Sequence, residues 1–125
     1  MKILLDTNFI LTCVKQKIDF VRLADEIFDE GLKWVLPIEV EEELKVLAER
    51  GGEKVEDKAA AVVGLQVVGG FDRVPLITKD VDSGIMKYAE NNKVIVATMD
   101  KGLKERLPEG TKILTIRGKG NLGLV

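Results

Sequence analysis

Three short apolar runs, each leading into carboxylates, constrain this chain more than any other feature. Val94-Ile95-Val96-Ala97-Thr98 precedes Asp100, Ile3-Leu4-Leu5 precedes Asp6, and Val74-Pro75-Leu76-Ile77 runs through Thr78 to Asp80 and Asp82. Uncharged, largely β-branched or aliphatic runs of this length predict strands buried on both faces, as in parallel sheets. If all three share one sheet, their carboxyl ends lie along one edge, where open α/β sheets place their sites. Acids distant in sequence would then converge.

The segments between these runs carry helical periodicity. Phe9, Ile10, Cys13 and Val14 mark a first buried helix face, which Asp6-Thr7-Asn8 can cap. Asp19 opens a second helix with the stripe Phe20, Leu23, Ala24, Ile27 and Phe28, stopped at Gly31. Lys33 to Leu36 reads as a strand, with Trp34 a packing residue rather than a platform for bases. Pro37 starts the next helix, whose buried direction is Val40, Leu44 and Leu47 and whose end is Gly51-Gly52. Glu53 to Val68 is apolar on more than one face, with small residues at Ala60 and Gly64. Part of it is expected in the core and the rest in a homodimer contact. Val74 to Ile77 is a strand start or edge because of Pro75. Val81, Ile85, Tyr88 and Ala89 mark a helix ending at Asn91-Asn92. A short helix around Leu103 to Leu107 follows the Val94–Thr98 strand, Lys112 to Arg117 is the last strand, and Gly118 to Val125 is a tail. The alternation predicts a three-layer α/β/α domain over residues 1–125, with a central, mainly parallel sheet of about five strands.

Composition narrows the chemistry. There is no histidine among the 125 residues, which excludes Ser-His-Asp triads and histidine bases, and the one cysteine, Cys13, leaves zinc poorly served. A lone cysteine and the lack of any leader-like or membrane-spanning run predict a cytoplasmic domain with no membrane contact. Charge is uneven. Residues 1–100 hold 13 basic and 19 acidic side chains, and residues 101–125 hold 6 and 2. A basic end beginning just after Asp100 would steer a polyanion toward the acidic edge.

The acids that can meet at that edge are Asp6, Glu41 or Glu43, Asp80 or Asp82, and Asp100. On a helix turning 100° per residue, Glu42 faces away from the apolar stripe while Glu41 and Glu43 flank it, so geometry leaves either as a member. One of Asp80 and Asp82 is explained as a helix cap and the second is not. Gathered carboxylates repel one another and resist burial. Mg²⁺ or Mn²⁺, which prefer oxygen ligands, relieve both costs and activate water against phosphodiesters. Two rival phosphate chemistries fit less well. An aspartyl-nucleophile phosphatase wants a second Asp where Asn8 stands. A receiver domain wants an acidic pair near the first strand and a closing lysine, and here Asp6 is alone and the strand ends in Arg117.

Four segments together resemble the PIN-domain ribonucleases: Lys2-Ile3-Leu4-Leu5-Asp6-Thr7-Asn8, Leu36-Pro37-x-x-Val40-x-x-Glu43-Leu44, Val81-Asp82-x-x-Ile85 and Ile95-Val96-Ala97-Thr98-Met99-Asp100-Lys101-x-Leu103. The resemblance spans nearly the whole chain. It implies a Mg²⁺- or Mn²⁺-dependent endoribonuclease with Asp6, Glu43, Asp82 and Asp100 as both the metal-binding and the catalytic set. Asn8 and Thr98 would orient those carboxylates. Met99 departs from the family's usual small polar residue. Lys101, Lys104 and Arg106 are the candidate phosphate contacts, and single-stranded or unpaired RNA is the expected substrate. The basic run after Asp100 looks more like nucleases that trim precursor ribosomal RNA, with a ribosome-assembly partner. The alternatives are a toxin held by an antitoxin, or a PIN-like module that binds RNA or protein without cutting.

Overall fold

The computed structural model describes all 125 residues. In chain order the elements are β1 (Lys2–Leu5), α1 (Thr7–Lys15), α2 (Phe20–Ile27), β2 (Lys33–Pro37), α3 (Ile38–Arg50), α4 (Asp57–Val67), β3 (Asp72–Val74), α5 (Val81–Asn91), β4 (Ile95–Ala97), α6 (Lys101–Arg106), β5 (Ile113–Arg117) and β6 (Asn121–Leu124). One sheet runs β3-β2-β1-β4-β5-β6, with β6 antiparallel and every other pair parallel. The α/β expectation therefore holds, with six strands rather than about five.

Alternating residues of the strands feed two cores. Ile3, Leu5, Trp34, Leu36, Ile95, Ala97 and Leu114 pack on one face with Phe9, Ile10, Cys13, Phe20, Val40 and Leu44. Leu4, Val35, Val96 and Ile113 pack on the other with Ile85, Leu103 and Leu107. Trp34 is a packing residue as expected. Its ring stacks on Phe71 at 5.8 Å and meets the edge of Phe20 at 5.1 Å. α4 puts part of its surface in the core, as expected. Ala60, Ala61 and Gly64 are buried toward α1 and α3, while Val62 and Val63 are each 44% exposed. No helix is long and apolar enough to cross a membrane.

Several expected boundaries move, each for a physical reason. Pro37 closes β2 and caps α3 without entering it, because its extended ψ of 136° keeps it out of the helix. α2 ends at Ile27, and Phe28 leaves it extended to lie against the core. α4 begins only at Asp57, whose carboxylate accepts from the Lys54 N–H and pairs with Lys15 of α1. The third strand ends at Val74, before Pro75, so Leu76 and Ile77 are loop. The presumed tail is β6, where Asn121-Leu122-Gly123-Leu124 alternates and puts Leu122 and Leu124 against the main core.

The shift of the third strand changes how its acids reach the edge. β3 lies two strands away from β1, so Asp80 and Asp82 are delivered by the loop 75–79 instead of by a strand end. That loop is latched. Both oxygens of the Glu39 carboxylate accept the Leu76 N–H (3.0 and 3.2 Å), and one accepts the Ile77 N–H (2.9 Å), while Ile77 adopts a left-handed φ of 56°. Gly84 of α5 supplies the space below, since a Cβ there would lie 2.9 Å from Leu76 Cβ and collide with Thr78 Cγ2. Gly84→Ala is thus expected to destabilise the fold by about 1–3 kcal/mol despite alanine's better helix propensity. A urea titration checks this, and a midpoint equal to or above wild type would contradict it.

Candidate metal-binding nuclease site

The site begins where the sheet reverses its order, between β1 and β4, a place where α/β sheets open a crevice at their carboxyl ends. Asp6 follows β1 there and caps α1, accepting the Thr7 N–H at 2.8 Å on Oδ1 and the Thr98 hydroxyl at 2.7 Å on Oδ2. Thr98, wholly buried just past β4, also accepts the Asp100 N–H at 3.1 Å. Asn8 Oδ1 accepts the Met99 N–H at 3.0 Å and lies 3.4 Å from the Thr98 hydroxyl. One buried hydroxyl and one amide therefore tie the β1 and β4 ends together and set the attitude of Asp6.

Met99 presents only its backbone to this network. Its sulfur points to β5, 3.4 Å from both the Thr115 hydroxyl and the Ile116 N–H. The Met99 side chain is thus turned away from the ring of hydrogen bonds around Asp6.

Glu43 and Glu41 separate in the folded chain. Glu41 is bound to Arg73 of β3 at 2.7 Å, which holds its carboxyl below the usual range. Glu43 stays exposed and accepts the Thr7 hydroxyl. Glu42 faces solvent beside Lys45, as helix geometry requires. Asp80 and Asp82 separate too. Asp80 is the α5 cap, taking the Asp82 N–H at 3.2 Å and the Ser83 hydroxyl at 2.6 Å, and these lower its carboxyl. Asp82 makes no such bond and turns to the groove.

An open groove of about 420 Å³ is lined by Asp6, Thr7, Asn8, Glu43, Lys79, Asp80 and Asp82. Asp100 lies beside it rather than in its lining, capping α6 through the Leu103 N–H at 3.2 Å. The four acids nevertheless share one field. Burial pushes the Asp6 carboxyl up to about 6, against the Thr98 and Thr7 hydrogen bonds, with Asp82 and Glu43 adding repulsion. Partial burial raises Asp82 as well, helped by Asp100, Asp80 and Glu43 and opposed by Arg106.

The four do not close on a common point, for no three acids stand together as a ready-made ion shell. Asp6, Glu43 and Asp100 are each turned to a protein donor instead. The donor set still suits a hard divalent ion. It is all oxygen, and no basic side chain forms an ion pair with Asp6, Glu43, Asp82 or Asp100. Ions that keep several waters need few direct protein ligands.

Of the three basic residues expected at the substrate, Lys101 is exposed and unpaired, Lys104 Nζ donates to the Thr115 hydroxyl at 3.1 Å, and Arg106 donates to Ser83 Oγ at 3.2 Å. Sequence reasoning missed Thr7, Ser83, Glu39 and Lys79. Only Thr7 had a visible signal, its place directly after Asp6 at a helix start.

Residues 3–119 match the family described as PIN like domain. Ribonuclease VapC4 of Methanocaldococcus jannaschii is 33% identical over 120 residues, covering 94% of this chain and 92% of that protein. Among solved structures, the PIN domain endonuclease Utp24 superposes with a TM-score of 0.80 at 27% identity, over 98% of this chain and 90% of that one.

Proposed function

Because this chain belongs to the PIN like domain family, we propose that it is a metal-dependent endoribonuclease that hydrolyses RNA phosphodiester bonds. The observation that carries this reading is an acidic groove at the sheet's switch point with no ion-paired cation to neutralise it. Two relatives named ribonuclease and endonuclease agree with it.

Asp6, Glu43, Asp82 and Asp100 would hold Mg²⁺ or Mn²⁺. Such an ion supplies an activated water and offsets the charge that builds on the phosphate and the leaving oxygen. The chain's own residues do the positioning. Thr98 and Thr7 fix the Asp6 carboxylate, the Thr7 hydroxyl restrains Glu43, and Asn8 locks the turn between Thr98 and Asp100. Lys101, Lys104 and Arg106 stand on the Asp100 side to meet phosphates, favouring unpaired RNA whose backbone can enter a shallow groove. That basic run supports trimming of precursor ribosomal RNA over a toxin's role. An assembly partner, an antitoxin or a second copy would find apolar area on the exposed α4 valines.

The test compares wild type with Asp100→Asn on structured and unstructured RNA, with Mn²⁺ or with chelator. Cleavage by wild type is expected only with metal, and at least about 100-fold less from the variant, the scale of losing one charge-stabilising group. Equal RNA survival in every lane would leave a binding module in place of an enzyme.

A further inference from the structure

The β5–β6 hairpin forms the edge of the sheet beyond β4, the strand that leads to Asp100. β5 pairs with β4 only through Val96↔Ile113 and Ala97↔Leu114, and then runs three residues further to Arg117. At about 3.3 Å per residue it rises roughly 10 Å above the end of β4. Thr115 is therefore level with Thr98, and Arg117 lies two residues further along the strand. Gly118 and Gly120, with φ of 60° and 85°, close the hairpin around Lys119.

The strand alternation decides which face is charged. Leu114, Ile116, Leu122 and Leu124 go to the core shared with α1 and α2, so Thr115, Arg117, Asn121 and Gly123 face the α6 side. On that face Lys104 reaches Thr115. Arg117 lies flat across Gly123, where a Cβ would stand 2.9 Å from Arg117 Cγ and collide with Cδ and Nε. Gly123 is thus a notch that seats Arg117. None of the six basic side chains from Lys101 to Lys119 forms an ion pair, and only two acids lie between them in sequence, Glu105 and Glu109.

We propose that the α6 side of this hairpin is the track for the RNA strand leaving the cleavage groove, with Arg117 seated on Gly123, Lys119 at the tip, and Lys104 between them and Asp100. This rests on the nuclease reading and adds a direction to it. The substrate lies across β4 and β5 toward the hairpin, and the contacts are to phosphates, so they carry affinity without base preference. Unpaired cations fixed by hydrogen bonds or by a backbone notch suit a flexible polyanion, which brings its own negative charge and displaces no acidic partner.

The test measures binding of a labelled 12-mer of oligouridylate by anisotropy, across a salt series with Mn²⁺, in an Asp82→Asn background that suppresses cutting. Arg117→Ala/Lys119→Ala is expected to weaken binding about tenfold at low salt and to flatten the slope of log K against log salt by about 1.4, near 0.7 for each lost phosphate contact. Gly123→Val, which unseats Arg117 without changing charge, is expected to flatten it by about half as much. Arg117→Lys is expected to restore most of the slope. Wild type is assayed for cleavage of the same oligomer alongside. Cleavage by wild type with an unchanged slope in Arg117→Ala/Lys119→Ala would overturn the track and leave the nuclease reading intact. No cleavage by wild type on any RNA would overturn that reading itself.

Discussion

Asp6→Asn is expected to abolish cleavage and, in the absence of metal, to make the protein more stable. The two effects have one cause. Asp6 is 4% exposed, and its burial raises its carboxyl to about 6 from 3.8 in an unfolded chain. A raised carboxyl stabilises the fold fully below the unfolded pKa and loses that contribution as pH rises through the folded value. Between about pH 4 and 6 wild type should therefore lose roughly 3 kcal/mol that the amide keeps. Asparagine fits the same space. Its oxygen can take the Thr7 N–H, its NH₂ can donate to Thr98 Oγ1, and the Thr98 hydroxyl can turn its proton to Asn8 Oδ1, already 3.4 Å away. Melting of the two metal-free proteins at pH 8 should differ by roughly 10 °C in favour of the variant, converging near pH 4. A variant melting below wild type at pH 8 would show that the hydrogen bonds of the Asp6 carboxylate outweigh the cost of burying its charge.

Asp6 and Asp100 could be placed from residue order alone because each follows a strand and caps the next helix, and β1 and β4 are neighbours across the switch point. The acids of α3 could not be sorted that way. Helix periodicity puts Glu41 and Glu43 on equal terms, and what separates them is Arg73, a β3 residue that claims Glu41. Asp80 and Asp82 were likewise equal until the Ser83 hydroxyl fixed Asp80 as the cap.

The route of the 75–79 loop was hidden for a different reason. Pro75 reads as a strand start, but the strand stops before it because Glu39, a helix residue 37 positions away from Leu76, takes the backbone N–H groups that a sheet neighbour would have used. β6 leaves little trace in the sequence because three glycines, Gly118, Gly120 and Gly123, weaken any strand signal. Two of them shape the turn and the third makes room for Arg117. The loop is the case in which a long-range contact overrode the local preference.

Divalent-metal binding should produce the other large effect. A groove holding four acids with no ion-paired cation gains from any divalent ion it binds, and ligand binding to the native state alone raises stability by RT ln(1 + [L]/Kd), about 2.7 kcal/mol at a hundredfold excess over Kd. Losing two ligands would remove both the charge and the coordination.

The decisive measurement is therefore a melting series with increasing Mn²⁺ on wild type and on Asp6→Asn/Asp82→Asn. Wild type is expected to climb with the logarithm of the Mn²⁺ concentration, by roughly 10 °C at a hundredfold excess over Kd, while the variant starts higher and gains nothing. Two flat curves, or two that rise together, would mean that the acids at the end of the sheet do not form a cation site.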